Sequence, residues 1–341
     1  MSCLALDIGG ANVKFSDGLE RTGSIPLALW KSPQQLAGLL RTVIASAAEC
    51  TAVGVTMTGE LADCFPSKAA GVRQILISVC EAAAGRPVYV YLVDGRLASP
   101  EQAAAEPVLA AASNWHALAR LAARYVPAGA ALMLDIGSTT CDLIPLIAGQ
   151  PAAVGRTDTQ RMLAGELVYT GVERSPVCGV AGQAPYRGRT CGVAQELFAT
   201  MRDVYLVLGE LPEQPGDLQT ADGRPATRTA AVARLARMIC ADETEFGEPD
   251  AVQMASSVAE AQANLVLAAL SRVVRRSWGP EATLDFPIVL SGHGDFVARR
   301  VLSKLGHTGP VISLADRLGA AVSRAAPAYA LAVLLREERG R

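Results

Sequence analysis

The chain has 341 residues, of which 50% are hydrophobic and 5% aromatic, and its formal net charge is −2. This length allows two domains, and a composition dominated by Ala, Leu and Val favours helices on buried parallel strands over an all-β sandwich. The small net charge argues against a clustered basic surface of the kind that binds nucleic acid or an anionic membrane.

Short β-rich runs alternate with long helical patterns along the chain. The predicted strands are Leu4–Ile8, Val13–Ser16, Ala52–Thr56, Val88–Leu92, Ala131–Ile136, Cys141–Ile147 and Ile288–Leu290. The predicted helices are Pro33–Glu49, Gly71–Ala84, Pro100–Tyr125, Val193–Leu208, Thr227–Ala241, Pro249–Ser277, Phe296–Leu305 and Leu314–Arg336. Strands separated by helices pair in parallel, so this order predicts an α/β fold. The segment Glu210–Pro225, rich in Pro, Gly and Asp, is predicted to be an exposed loop.

One sequence pattern occurs twice in the chain. LDIGGANVK, from Leu6 to Lys14, is followed 128 residues later by LDIGSTTCD, from Leu134 to Asp142. Each copy reads as an apolar strand ending in Asp, a turn of small residues and a second strand. The repeat predicts two similar domains, 1–128 and 129–341, each opening with this hairpin. The second domain is expected to hold an inserted helical region at about 193–280 and a C-terminal helix.

The two hairpins have the chemistry of a phosphate site. A strand ending in Asp places a carboxylate at the mouth of a sheet, and the following glycine lets backbone N–H groups approach an anion. Asp7 and Asp135 are the candidate catalytic carboxylates and the candidate ligands of a Mg²⁺ ion, directly or through water, because Mg²⁺ takes only one or two protein carboxylates. The predicted diphosphate- or nucleotide-binding residues are Gly9, Gly10, Asn12, Lys14, Gly137, Ser138, Thr139 and Thr140.

A third candidate element runs from Ile288 to Asp295. It reads as a buried strand, a Gly-x-Gly turn and the start of a helix, and such a turn lets a nucleotide approach the backbone at Gly292 and Gly294. A tight turn without any ligand explains the same residues. His293, within the turn, is interpreted as a turn residue rather than a catalytic base.

Taken in order, the three motifs resemble the two phosphate motifs and the adenosine motif of the acetate/sugar kinase, Hsp70 and actin superfamily. The resemblance implies two actin-like, ribonuclease H-like domains with mixed sheets flanked by helices and a cleft between them.

A narrower resemblance covers nearly the whole chain. Its segments are similar to one group of hydantoinase/oxoprolinase-like proteins that is linked to tetrahydromethanopterin-dependent one-carbon transfer. The runs Gly165–Val172 and Arg237–Asp242 are the most specific parts of this resemblance. The segments that carry the resemblance are Asp7–Lys14, Val55–Asp63, Asp135–Pro145, Gly165–Val177, Thr220–Arg224 and Arg234–Asp242.

This resemblance implies a transferase of methanofuran or methylofuran biosynthesis. Such an enzyme would join an aminomethyl-furanmethyl diphosphate to the phenol of a glutamylated tyramine or tyrosine, forming an ether and releasing pyrophosphate. Mg²⁺, backbone N–H groups and a cation would neutralise the leaving group. A base must take the phenol proton.

Four further residues are candidates for roles in this chemistry. Glu60 and Glu166 are the candidate bases, and either is also explained as a solvated or salt-bridged carboxylate. Lys68 is a candidate contact of the diphosphate, and Arg174 could bind the diphosphate or the glutamyl carboxylate.

Two other function classes remain open from the sequence. In an ATP-dependent small-molecule kinase or hydantoinase/oxoprolinase-like enzyme, the same hairpins would hold the phosphates of ATP, and the product would be ADP instead of pyrophosphate. An actin-like assembly module would use nucleotide only as a switch and would expose apolar interaction patches.

The remaining features predict a cytoplasmic protein. No basic n-region precedes an apolar run at the start, and charges interrupt every apolar stretch before about 18 residues, so neither a secretory signal nor a membrane helix is expected. The eight cysteines have no metal-site spacing and are interpreted as reduced thiols. Val258, Leu265, Val266 and Leu270 form a stripe that either supports a homodimer or faces the chain's own sheet.

Overall fold

The computed structural model describes residues 2–283 and 285–340. The predicted domains also include Met1, Leu284 and Arg341, which lie outside the described residues. Elements of the first half are β1 (Cys3–Ile8), β2 (Asn12–Ser16), β3 (Thr22–Pro26), α1 (Leu36–Ala45), β4 (Ala52–Met57), α2 (Lys68–Ala83), β5 (Val88–Tyr91), β6 (Leu97–Ala98), α3 (Pro100–Ala105), α4 (Pro107–Ala110) and α5 (Asn114–Ala122).

The second half contains a similar series with additional helices. Its elements are β7 (Ala130–Ile136), β8 (Cys141–Ile147), β9 (Gln150–Pro151), α6 (Asp158–Ala164), β10 (Leu167–Val168), α7 (Val177–Val180), β11 (Gln183–Tyr186), β12 (Arg189–Gly192), α8 (Met201–Leu208), α9 (Arg228–Arg237), α10 (Glu248–Trp278), β13 (Ile288–Gly292), α11 (Asp295–Leu305), β14 (Val311–Ser313), α12 (Leu314–Leu318), α13 (Ala320–Arg324) and α14 (Ala326–Gly340).

The two large sheets repeat one topology. The first has the order β3-β2-β1-β4-β5-β6, and the second has the order β10-β8-β7-β13-β14. In both, the hairpin pair is antiparallel, and the next two strands in the order (β4 and β5, or β13 and β14) are parallel to the first strand of the hairpin. All six residues of β1 are buried, as expected of a parallel strand covered on both faces. The predicted fold class, mixed sheets flanked by helices, is confirmed.

Two predicted helices are interrupted. The helix predicted over Pro100–Tyr125 breaks at Pro107, which has no backbone N–H to donate to the preceding turn. The helix predicted over Leu314–Arg336 breaks at Gly319, where φ is +92°, a conformation that favours glycine.

A third predicted helix begins later than expected. The prediction was Val193–Leu208, whereas α8 begins at Met201, because Asp203 accepts a hydrogen bond from the Thr200 amide at 2.9 Å and fixes the helix start there. The amide of Val193 instead extends the β11–β12 hairpin by bonding to Gly182.

The C-terminal helix α14 returns to the first sheet. Ala330, Leu331 and Leu335 are buried in one apolar cluster with Cys3 and Ala5 of β1. The two halves of the sequence are therefore interleaved at this helix. The domain boundary after residue 128 stays a prediction.

The stripe considered for a homodimer lies on α10. Val258, Val266 and Leu270 are buried in the core cluster of the second half, and Leu265 is 44% exposed. Most of the stripe therefore faces its own chain. Within the described ranges, no helix is both long and apolar enough to cross a membrane. The cytoplasmic location stays a prediction.

Candidate functional site

The two repeated carboxylates lie near the carboxyl ends of equivalent strands. Asp7 lies in β1 and is paired in register with Lys14 of β2. Asp135 lies in β7, where Ser291 of β13 is its parallel neighbour. Because these strand ends meet at one edge of each sheet, the repeat places an equivalent acid at each edge.

Lys14 interacts electrostatically with both acids. Its Nζ is 4.0 Å from Oδ2 of Asp7, and its charge lowers the pKa of both Asp7 and Asp135. The negative charge of Asp135 raises the pKa of Asp7, as expected of neighbouring carboxylates. The fold therefore brings the two predicted acids and the predicted lysine into one electrostatic group.

Burial is the largest influence on both carboxyl groups. It raises the pKa of Asp7 and of Asp135 above the usual range of aspartate. Asp7 is only 2% exposed, and its Oδ1 atom has no hydrogen-bond partner in the described part of the chain. The side chain of Asn114 beside it lowers its pKa. An unpartnered buried oxygen of this kind is ready to bind a cation or a water molecule.

The first hairpin leaves backbone donors free at its turn. The Gly9 amide closes the turn by donating to the Asn12 carbonyl at 2.9 Å. Within the described ranges, the amides of Gly10 and Ala11 donate to no protein acceptor. Gly59 packs against this turn, where a Cβ would lie 3.1 Å from the Gly9 carbonyl. The turn can therefore offer N–H groups to an anion.

The second hairpin has the same construction. The Gly137 amide donates to the Thr140 carbonyl at 2.9 Å, and the amides of Ser138 and Thr139 donate to no acceptor among the described residues. Gly171 packs on this turn so closely that a Cβ would lie 2.4 Å from the Thr139 nitrogen. Part of the family-specific segment Gly165–Val177 thus supports the second turn.

The third predicted element touches the second hairpin. Gly294 donates to the Ile136 carbonyl at 3.0 Å, and Gly292 has a φ of +83°. A Cβ at Gly292 would lie 3.0 Å from Oδ1 of Asp135. The Gly-x-Gly turn therefore lies beside the second acid, as the order of motifs predicts for a shared cleft.

His293 takes part in an ion-pair chain. Its Nε2 lies 3.0 Å from Oε1 of Glu173, and Arg202 binds the other oxygen of Glu173 at 2.8 Å. Burial of the Glu173 carboxyl group raises its pKa, but the His293 and Arg202 partners outweigh this and lower the pKa to about 2. His293 therefore has a positioning contact, in agreement with its interpretation as a turn residue.

The two candidate bases have different surroundings. Glu166 is fully buried, and its carboxylate accepts hydrogen bonds from the amides of Val154 and Gly155 and from Arg276. Glu60 is 1% exposed, and its Oε2 has no partner in the described residues. Burial raises the pKa of Glu60 to about 7. Glu60 therefore combines an unpartnered oxygen with a pKa near neutrality, whereas both oxygens of Glu166 accept hydrogen bonds.

The two candidate cations have different surroundings as well. The Arg174 guanidinium carbon lies 4.9 Å from the centre of the Trp30 ring, so this pair joins the two halves beside the hairpins. Lys68 starts α2. It is close enough to Glu60 and Asp158 to lower the pKa of both carboxyl groups.

Two family-specific segments meet at a buried arginine. Asp222, in Thr220–Arg224, binds the buried Arg234 at 3.0 Å, and Asp203 binds the same guanidinium at 2.7 Å. These segments therefore form a structural ion-pair network.

Several site neighbours carry no signal in the sequence. Asn114 beside Asp7 lies within the single helix predicted over Pro100–Tyr125, whereas it starts α5 after an irregular stretch. Trp30 and Asp158 belong to no repeat or motif. Glu173 lies within the family-specific segment Gly165–Val177, but the sequence assigns it no site contact. Only long-range packing brings these three residues to the candidate groups.

The chain matches a family model described as hydantoinase/oxoprolinase over residues 51–338. It is 30% identical over 339 residues to the (4-{4-[2-(gamma-L-glutamylamino)ethyl]phenoxymethyl}furan-2-yl)methanamine synthase of Methanocaldococcus jannaschii, covering 98% of each chain. A synthase of the same name from Methanococcus vannielii is 29% identical over 209 residues, covering 61% of this chain and 91% of that protein. Among solved structures, the inorganic polyphosphate/ATP-glucomannokinase of Arthrobacter sp. strain KM has a TM-score of 0.46, 14% identity and 99% coverage of both chains.

Proposed function

This chain belongs to the hydantoinase/oxoprolinase family, and we propose that it is a transferase of methanofuran biosynthesis. It joins an aminomethyl-furanmethyl diphosphate to the phenol of a glutamylated tyramine or tyrosine and releases pyrophosphate. The observation that carries the proposal is the similarity over 98% of both chains to a synthase whose name describes a phenoxymethyl-furan product.

The reaction exchanges one carbon–oxygen bond for another. The bond between the furanmethyl carbon and the diphosphate breaks, and its electron pair leaves with the diphosphate. The positive charge that develops on the carbon is delocalised by the ring oxygen. The phenol oxygen then bonds to this carbon, and the phenol proton passes to a base. Stabilising the leaving diphosphate is therefore the main electrostatic task of the protein.

The paired hairpins supply groups for that task. The amides of Gly10 and Ser138 belong to the donors without a protein acceptor, one from each turn. Lys14 adds a positive charge beside Asp7 and Asp135. A diphosphate between the two turns would accept hydrogen bonds from both halves and would be positioned by them.

The residues present also fit a Mg²⁺ ion. Asp7 and Asp135 offer the hard oxygen ligands that Mg²⁺ prefers, and the unpartnered Oδ1 of Asp7 is free for this role. A site with two carboxylates leaves most coordination positions of the ion to water and phosphate oxygens. Within the described residues, no group of three or more His, Cys, Asp or Glu side chains forms an alternative metal site. When bound, Mg²⁺ supplies charge neutralisation at the diphosphate.

The direct test is product analysis with the purified full-length chain. The protein is incubated with the furanmethyl diphosphate, γ-glutamyltyramine and Mg²⁺, and the ether and pyrophosphate are measured by mass spectrometry and a coupled assay. Asp7→Asn and Asp135→Asn should each lower ether formation by about 100-fold or more. Asp63→Asn, at an exposed position, is the matched control.

Two outcomes would overturn the proposal. Ether formation at the wild-type rate in both variants would exclude the hairpins as the reaction site. ADP produced from ATP, with no ether from the diphosphate, would favour a kinase or a hydantoinase/oxoprolinase-like amidohydrolase.

A further inference from the structure

A cavity of about 200 Å³ lies between elements of the two halves. For comparison, an apolar cavity of about 150 Å³ is large enough to bind benzene. One wall is apolar, and the opposite wall is the start of α6. The lining residues are Lys68, Val108, Ala111, Ala112, Thr157, Asp158 and Thr159. Its size and mixed lining suit one aromatic ring that carries a polar substituent.

The carboxyl group of Glu60 interacts with residues that line this cavity. The amide of Ala112, a lining residue, donates to it. Lys68 and Asp158, which also line the cavity, both influence its ionisation. Glu60 itself is 1% exposed and its Oε2 has no partner in the described chain. A buried carboxyl oxygen without a partner is costly to the fold unless a ligand or water uses it.

The cavity is connected to the first hairpin by two short pieces of chain. Glu60 follows Gly59, which packs directly on Gly9 of the hairpin. Ala112 is followed two residues later by Asn114, whose side chain lies beside Asp7. The cavity and the first phosphate turn therefore share their supporting segments.

We propose that this cavity binds the phenol ring of the acceptor and that Glu60 takes the phenol proton. The inference rests on the proposed ether-forming reaction. Val108 and Ala111 contact the ring face, and the charge of Lys68 stabilises the phenolate that forms. Lys68 has no ion pair or hydrogen bond within the described ranges, so it is free for this role. The remainder of the acceptor leaves the cavity past Val108 and Thr159, which are both exposed.

Filling the cavity tests the binding site independently of turnover. Calorimetry with γ-glutamyltyramine, without any diphosphate, should show binding to the wild type and at least ~10-fold weaker binding to Val108→Trp. Leu163→Trp, on the exposed face of α6 outside the cavity, is the control and should bind like the wild type. Equal binding by Val108→Trp, or no binding by the wild type, overturns the site. If the wild type makes the ether while Val108→Trp binds normally, only the location of the acceptor is wrong.

Acidic acceptors test the role of Glu60. With γ-glutamyltyramine, Glu60→Gln should lower kcat by about 100-fold or more. With a ring-fluorinated acceptor whose phenol is already ionised at the assay pH, Glu60→Gln should approach the wild-type rate, because no base is then needed. An equal loss with both acceptors would assign Glu60 a structural role, and no loss with either would exclude it as the base.

Discussion

The ammonium nitrogen of Lys14 lies 4.0 Å from Oδ2 of Asp7, on the neighbouring strand of the same hairpin. Lys14 also lowers the pKa of Asp135, which comes from the other sheet. One cation therefore partly offsets the rise in pKa that burial causes in both acids. Protonated carboxyl groups are poor ligands for Mg²⁺. Lys14 therefore supports metal binding by keeping both acids more easily ionised, in addition to any contact of its own with a phosphate.

Removing this charge should impair metal binding and catalysis together. We expect Lys14→Met to lower ether formation by about 100-fold and to raise the Mg²⁺ concentration needed for half-maximal rate. The measurement is a Mg²⁺ titration of initial rates at fixed substrate. Lys31→Met, which removes an exposed lysine, is the matched control. An unchanged Mg²⁺ dependence in Lys14→Met would show that Lys14 does not control the two acids.

Glu60 should make the fold less stable as pH rises. Its pKa is about 7 in the folded protein, against 4.5 for an ordinary glutamate. Between these values the folded chain keeps a proton that the unfolded chain releases. Since stability falls with pH wherever the folded state binds more protons, stability is lost from about pH 4.5 to about pH 7.

Glu60→Gln removes this pH-dependent loss of stability because glutamine cannot ionise. We expect the variant to be about 1–3 kcal/mol more stable than the wild type at pH 8 and similar to it at pH 4. Urea unfolding at the two pH values measures the difference. If Glu60→Gln is the less stable protein at pH 8, the carboxylate has a stabilising partner, and its assignment as a free base is wrong.

In contrast, replacing Glu166 should lower the stability of the fold. Its oxygens accept hydrogen bonds from Val154, Gly155 and Arg276, so Glu166→Gln leaves a partly buried guanidinium and a backbone donor without their acceptor. We expect a loss of about 2–3 kcal/mol of stability, with ether formation per folded molecule unchanged. Thermal unfolding and assays well below the melting temperature separate the two effects. A lower kcat without lower stability would instead identify Glu166 as a catalytic group.

The sequence predicted the hairpins well because their signals are local. Leu4–Ile8 and Ala131–Ile136 are apolar runs with Asp as the last residue but one, and the structure places strands at Cys3–Ile8 and Ala130–Ile136. The repeat also predicted that two equivalent turns exist, and the matching strand orders of the two sheets confirm this.

The surroundings of Glu60 could not be predicted in the same way. Its burial depends on Gly71 in α2, where a Cβ would lie 2.0 Å from the Glu60 carbonyl oxygen. Its electrostatic neighbour Asp158 comes from the other half of the chain. Such contacts follow from how helices pack between sheets, and neither periodicity nor turn chemistry encodes them.

The last prediction concerns the close packing of Gly171 on the second hairpin. A Cβ at this position would lie 2.4 Å from the Thr139 nitrogen and 2.5 Å from the carbonyl carbon of Ser138, so the turn would have to move. We expect Gly171→Ala to cost about 1–3 kcal/mol of stability and to abolish the rise in melting temperature that Mg²⁺ with pyrophosphate causes in the wild type. Gly179→Ala is the control, because no atom lies within 4 Å of a Cβ there. A normal pyrophosphate response in Gly171→Ala would show that the second turn does not hold the diphosphate.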